Sequence, residues 1–226
     1  MMIPVILVMV CAIVAVALYL WLPFLVEQAP LAYELYINQK IFFYHAPLSW
    51  VMFTSVFVAG VASVGFLKSR RPGWDDVAAA AGDLVVIFGA IALTTGPIWG
   101  KAAWGVWWVW DARLTSTLLL WMIFVAYALI RRYGGAGSER LAAGLALFGA
   151  ADVPLVYFAV NFWKTQHPTN AVVPALGPGM KGAFWMSVLA MHCLYVLFLV
   201  ARSSVRAGER RLHAAHDLAL DAGVLE

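Results

Sequence analysis

Six apolar runs, each about 20 residues long, divide this chain and leave it one architecture. They cover roughly 3–26, 46–67, 78–98, 114–130, 141–163 and 182–201. A helix rises about 1.5 Å per residue, so a run of this length crosses the roughly 30 Å hydrocarbon layer of a bilayer. Lipid offers the backbone no hydrogen bonds, so a span is either a helix or a strand of a closed barrel. A barrel would show short segments of alternating polarity, and the runs here are continuous. The expected fold is an all-α integral membrane protein with six transmembrane helices. Composition agrees: 64% of the 226 residues are hydrophobic and 12% are charged, against about 25% charged in a soluble domain. The first run exceeds the apolar core of a signal peptide and shows no small-residue cleavage site, so it is read as a retained span. Residues 1–202 are expected to form one six-helix domain. Residues 203–226 form a polar, Ala-rich tail of helical character.

Charge fixes the expected orientation. Lys68, Arg70, Arg71, Arg131, Arg132, Arg140, Arg202, Arg206, Arg210 and Arg211 fall in one alternate set of connections. Lys40, Lys101, Arg113, Lys164 and Lys181 fall in the other. Basic residues accumulate on the cytoplasmic side, which places both termini inside. Three outer segments remain, about 27–45, 99–113 and 164–181. The inner connections are short and carry the turn signals Pro72-Gly73 and Gly134-Gly135, so any site lies outside. The net charge of +3 is spread between apolar runs rather than gathered on one face, and no nucleic acid is expected as a partner. Membrane lipid is the expected surround.

The outer segment after the third run is the chemical anomaly. Between Trp99 and Arg113 it holds Trp99, Trp104, Trp107, Trp108 and Trp110, followed by Asp111. One or two tryptophans make an ordinary interfacial belt; five in twelve residues exceed it. Trp104, Trp107, Trp108 and Asp111 follow the i, i+3, i+4, i+7 spacing of one helical face. The expectation is an amphipathic helix on the outer surface that stacks against a large planar ligand, since indoles give wide contact at low rotamer cost. Two histidines flank it at similar depth: His45 at the outer end of the second run and His167 just past the fifth. Haem iron accepts imidazole on both axial positions, so porphyrin is the planar ligand these residues suggest.

Other polar residues divide by depth. His192 lies near the middle of the sixth run, where a hydrogen bond to a neighbouring helix competes with a b-type haem ligand role. His213 and His216 fall in the tail. Asp83 and Asp152 lie inside runs; Asp83 is near the cytoplasmic end, where a wet location is easy, and the deeper Asp152 should face the bundle. Asp111 is expected either to cap the fourth helix or to join the site, and Arg113, Lys101 or Lys164 to pair with propionates. Cys11 and Cys193 sit in apolar runs. No C-x-x-C-H sequence is present for covalent haem attachment, and no Walker A sequence for ATP hydrolysis.

Trp104-Gly105-Val106-Trp107-Trp108-Val109-Trp110-Asp111, continued by Ala112-Arg113-Leu114-Thr115, resembles the W-G-x-x-W-x-W-D signature of the haem-handling (WWD-motif) superfamily. With six spans and this length, the chain looks like the family of haem exporter protein C (CcmC) of the cytochrome c maturation system. The resemblance implies non-covalent, transient binding of haem b at the outer surface of the bacterial inner membrane. His45 and His167 would be the axial ligands, and the motif positions Trp104, Gly105, Trp108, Trp110 and Asp111 would bind haem. Trp107 lies at a variable position of the signature and joins them on its helical-face spacing, with Trp99 and Arg113 as the flanking candidates. It implies delivery to a periplasmic haem chaperone, and partners comprising an ATPase subunit, a permease subunit and a small single-span subunit. No enzyme chemistry is expected; any help with covalent attachment would come from positioning. Two rivals stand beside this reading. A b-type cytochrome subunit would use histidines inside the spans. A non-haem permease subunit would use the tryptophans only as an interface belt.

Overall fold

The computed structural model describes residues 5–31, 36–135, 137–169 and 172–223. Helix α1 spans Val5–Gln28, and α2 spans Phe42–Ser69 after a 3-10 turn at Tyr36–Ile41. Helices α3 (Pro72–Trp104), α4 (Ala112–Tyr133) and α5 (Ser138–Phe162) follow. A single turn, α6 (Val172–Ala175), precedes the long α7 (Pro178–Asp221). All but α6 are long and apolar enough to cross a membrane. The chain is a multi-pass, all-helical membrane protein, as its apolar runs require. The expected start of the first span at Ile3 and the last residues of the tail lie outside the described residues.

The helices outrun the apolar runs at their polar ends, because backbone hydrogen bonding continues until a local stop signal. Helix α2 ends where Arg70 enters the left-handed region (φ 55°) and returns its N–H to Phe66 O. Pro72 opens α3 at a position where a missing N–H costs nothing. The largest extension is α7, whose 44 residues span about 66 Å. It continues unbroken through position 203, so the tail is a prolongation of the last span.

Helix α2 stands at the centre, packed on α3, α5 and α7, while α4 packs on α3 and α5. Val51, Met52, Val56, Leu120, Phe124 and Tyr127 are fully or almost fully buried there. Close approach depends on small residues: Ala78 to Gly82 of α3 are all buried. A Cβ at Gly82 would come within 2.4 Å of the Tyr127 ring. Between membrane helices such packing substitutes for the hydrophobic drive that lipid removes. Helix α1 lies at the periphery against α7, and Val5, Ile6, Ile13, Leu20 and Phe24 stay exposed, the surface a lipid-facing helix presents.

The bundle has two unlike ends. At one, which we call the arginine end, α3 carries three carboxylates that are all paired. Arg131 grips Asp75 with two bonds of 2.9 and 2.6 Å. Arg202 and Arg206 converge on Asp83 at 2.7 and 2.8 Å, and Arg210 forks onto Asp76 at 3.1 and 2.7 Å. Arg202, Arg206 and Arg210 recur every four residues, so one face of α7 is tied along α3. Asp83, expected in a wet location near that end, is instead paired with two arginines and partly buried. Asp152 of α5 is buried as expected, and its Oδ2 has no hydrogen-bond partner among the described residues. At the other, histidine end, the loops between α1 and α2, α3 and α4, and α5 and α7 come together.

Candidate functional site

The segment after α3 is not a helix. Gly105 takes a left-handed conformation (φ 78°) and caps α3 with its N–H on Lys101 O, while Lys101 Nζ donates to Gly105 O at 2.9 Å. A glycine in this conformation stops a helix. Residues 105–111 then run as an irregular strap until Asp111 caps α4. The expected amphipathic helical face through Trp104, Trp107, Trp108 and Asp111 is therefore corrected: stop and start signals at Gly105 and Asp111 override a spacing that fits a helix. The strap folds back over the last turn of α3, where a Cβ at Gly100 would lie 3.2 Å from Val106 O.

This fold-back builds a cavity of about 90 Å³ under the strap. His45, Trp99, Trp104, Trp107, Trp108, Arg113 and His167 all line it, with Gly96, Pro97 and Gln166 among the others. A second cavity of about 330 Å³ adjoins it, bounded by α2, Tyr157 of α5, residues 167–169, α6 and Trp185 of α7. His45, Ser49, Trp99, Arg113 and His167 belong to both linings. The two histidines thus stand on the boundary between an indole-walled chamber and a largely apolar one.

The other candidate residues sort by role. Trp99 is nearly buried and packs against the His45 ring at 5.9 Å and against Trp104 at 5.9 Å. Trp107 lines the cavity yet is 59% exposed. Trp110 is 77% exposed, stacks edge-on against Trp108 at 5.6 Å, and lines neither cavity. The indole N–H groups of Trp99 and Trp108 are buried without a partner among the described residues. Gly105 and Asp111 also stay out of both linings. Asp111 works on the backbone: Oδ1 accepts from Leu114 N at 2.8 Å and Oδ2 from Gln166 N at 2.9 Å. One carboxylate starts α4 and tethers the loop that carries His167. Arg113 faces both cavities while Nη1 donates to Tyr157 O at 3.0 Å. Lys101 is occupied at the α3 cap.

Both site imidazoles are held through Nδ1. His167 Nδ1 lies 2.9 Å from Pro168 O; a carbonyl only accepts, so Nδ1 carries the proton. His45 Nδ1 lies 2.9 Å from Thr95 Oγ1. Neither Nε2 has a hydrogen-bond partner among the described residues. Burial, with a smaller push from the Arg113 guanidinium, lowers the His167 imidazole to about 4, so it is neutral at pH 7 and offers a lone pair. Metal-binding histidines are held this way, with the second nitrogen donated to a neighbour. The donor set and the aromatic walls fit a haem.

His192 differs. Its Nδ1 faces Val188 O at 2.8 Å and its Nε2 faces Thr54 Oγ1 of α2 at 3.2 Å. Both nitrogens are engaged in bonding within the bundle, the helix-to-helix alternative that sequence allowed. Thr95, Gly96, Ser49 and Gln166 were missed by sequence reasoning. Only the polar break Thr94-Thr95-Gly96-Pro97 near the end of the third run hinted at them.

A family model described as heme exporter protein C matches residues 1–217. A heme exporter protein C of Bradyrhizobium diazoefficiens is 37% identical over 177 residues, which cover 76% of this chain and 66% of that protein. The heme exporter protein C of Escherichia coli K12 is 31% identical over 182 residues, covering 77% of this chain and 72% of its own length. A putative cytochrome c biosynthesis ccmC-like mitochondrial protein of Marchantia polymorpha is 31% identical over 144 residues. The chain spans a little under two thirds of the length of the first curated relatives it matches, 66% and 61%. With a family model that covers nearly the whole sequence and relatives above 30% identity, the chain belongs to the heme exporter protein C family.

Proposed function

We propose that this protein binds haem b non-covalently at the histidine end and delivers it to a periplasmic haem chaperone during c-type cytochrome maturation. One observation carries the reading: two imidazoles with unengaged Nε2 atoms stand on a wall shared by two cavities, one of them lined with indoles. A macrocycle lying across that wall would place its iron between His45 and His167. Its faces would meet Trp99, Trp104, Trp107 and Trp108. His45 and His167 would hold the iron through Nε2, and the remaining contacts would come from the chain's own side chains. Arg113, at the boundary of both chambers, suits a propionate.

The positive-inside bias supports the orientation, with the histidine end outside, both termini cytoplasmic and the inner membrane as location. The partners inferred from the family are the ATPase, permease and small single-span subunits of the maturation complex. An open, surface-side site favours release to an acceptor over permanent retention. Haem transfer in this reading is a positioning task with no acid–base pair.

The test is a visible spectrum of the protein purified after expression with ample haem, together with transfer to the acceptor. The reading expects a Soret band in the wild type, lost in His45→Ala plus His167→Ala while membrane insertion persists. An unchanged band in that double variant would refute it.

A further inference from the structure

We propose that Thr95 is the positioning residue for His45, fixing the tautomer and aim of its iron-facing nitrogen; the inference rests on the haem reading above. Thr95 lies one turn before Trp99 on α3, across from the first turn of α2. Its Oγ1 donates to Ile91 O at 2.8 Å. A hydroxyl has one proton, and the carbonyl can only accept it. With that proton on Ile91 O, the 2.9 Å contact with His45 Nδ1 uses the hydroxyl's lone pair and Nδ1 is the donor. His45 is thereby held as the Nδ1–H tautomer, which leaves the lone pair on Nε2.

The neighbouring residue completes the holder. The His45 ring lies over Gly96, where a Cβ would stand 3.2 Å from Cε1. Trp99 also packs on the ring, at 5.9 Å between centroids. The backbone of α2 at His45 is braced as well, since Ser49 Oγ donates to His45 O at 2.9 Å. Ring position, tautomer and backbone are each set by a different contact, and among the described residues Thr95 is the one that meets Nδ1. A bond from Nδ1–H also raises the basicity of Nε2 and strengthens its donation to ferric iron.

Thr94 supplies an internal control. It makes the same intrahelical bond, Oγ1 to Ala90 O at 2.8 Å, but touches no histidine. The experiment measures ferric-haem affinity and midpoint potential for Thr95→Val, Thr95→Ser and Thr94→Val. Thr95→Val should lose about 10- to 100-fold in affinity, the usual cost of a lost partner behind a ligand, and shift the potential positive. Thr95→Ser should restore both, and Thr94→Val should change neither. If Thr95→Val does not accumulate, Thr95→Ala carries the same expectation with less bulk. Thr95 variants that match Thr94→Val in affinity and potential overturn the inference. His45→Ala separates the two levels. If it abolishes the haem spectrum while Thr95→Val does nothing, the Thr95 role alone is wrong; if it too has no effect, the haem site falls and Thr95 with it.

Discussion

The arginine end and the histidine end of the bundle treat polar groups in opposite ways. At the arginine end, Asp75, Asp76 and Asp83 each meet an arginine at 2.6–2.8 Å, and the charges complete one another. At the histidine end, His45 and His167 present Nε2 with no protein partner, and the indole N–H groups of Trp99 and Trp108 are likewise left over among the described residues. Arg131 Nε and Arg206 Nε are also buried without a partner among the described residues, so what sets the histidine end apart is that its unengaged imidazoles line cavities, while the carboxylates of the arginine end are each met by a guanidinium. The contrast also separates stability from function: the first end fastens α7 to α3, and the second holds a shaped opening.

Substitutions should break this contrast in a graded order. The largest effect is expected at the axial pair. His45→Ala plus His167→Ala should abolish haem retention, a loss of at least about 100-fold, with the apo protein's melting temperature in detergent held or raised. Next is Asp111→Ala, which frees both the α4 start and the Gln166 amide. It should weaken haem binding roughly tenfold by loosening the His167 loop, as read by haem titration, with Asp111→Asn falling between because an amide retains one acceptor oxygen.

The reverse pattern is expected at the other end. Asp83→Ala leaves Arg202 and Arg206 without their carboxylate in a half-buried setting. It should lower stability by about 1–3 kcal/mol in a thermal or denaturant assay, while haem affinity stays unchanged. The smallest effect is expected from Trp110→Ala, whose side chain is 77% exposed and lines neither cavity. Haem affinity should hold in that variant. A large loss there would mean the strap rearranges around the ligand and would blur the boundary drawn between lining and outer tryptophans.

The fold was legible in sequence because hydrocarbon imposes its own length rule. Six apolar runs of the right length became six helices, and composition alone excluded a globule. His45 and His167 were legible as candidates because each sits beside the ends of apolar runs that flank the tryptophan segment. The helical reading of that segment failed for a local reason. Trp104, Trp107, Trp108 and Asp111 fit a helical stripe, but Gly105 in a left-handed conformation outweighs four residues of matching period. Asp111 was read both as a cap and as part of the site; the structure gives it the cap and adds the tether to Gln166. Thr95 was not legible because its role depends on how α3 is rotated against α2, which no single-helix pattern encodes. The arginine ladder of α7 was visible only as positive charge. Its pairing with α3 requires knowing that α7 continues past the apolar run.

The central claim, that His45 and His167 grip one iron, is tested most directly by electron paramagnetic resonance of the ferric haem-loaded protein. The account predicts a low-spin, two-imidazole signal in the wild type and in His192→Ala, converted to high spin in His45→Ala and in His167→Ala separately. A low-spin signal that survives both single site variants, or one that disappears in His192→Ala alone, would contradict it.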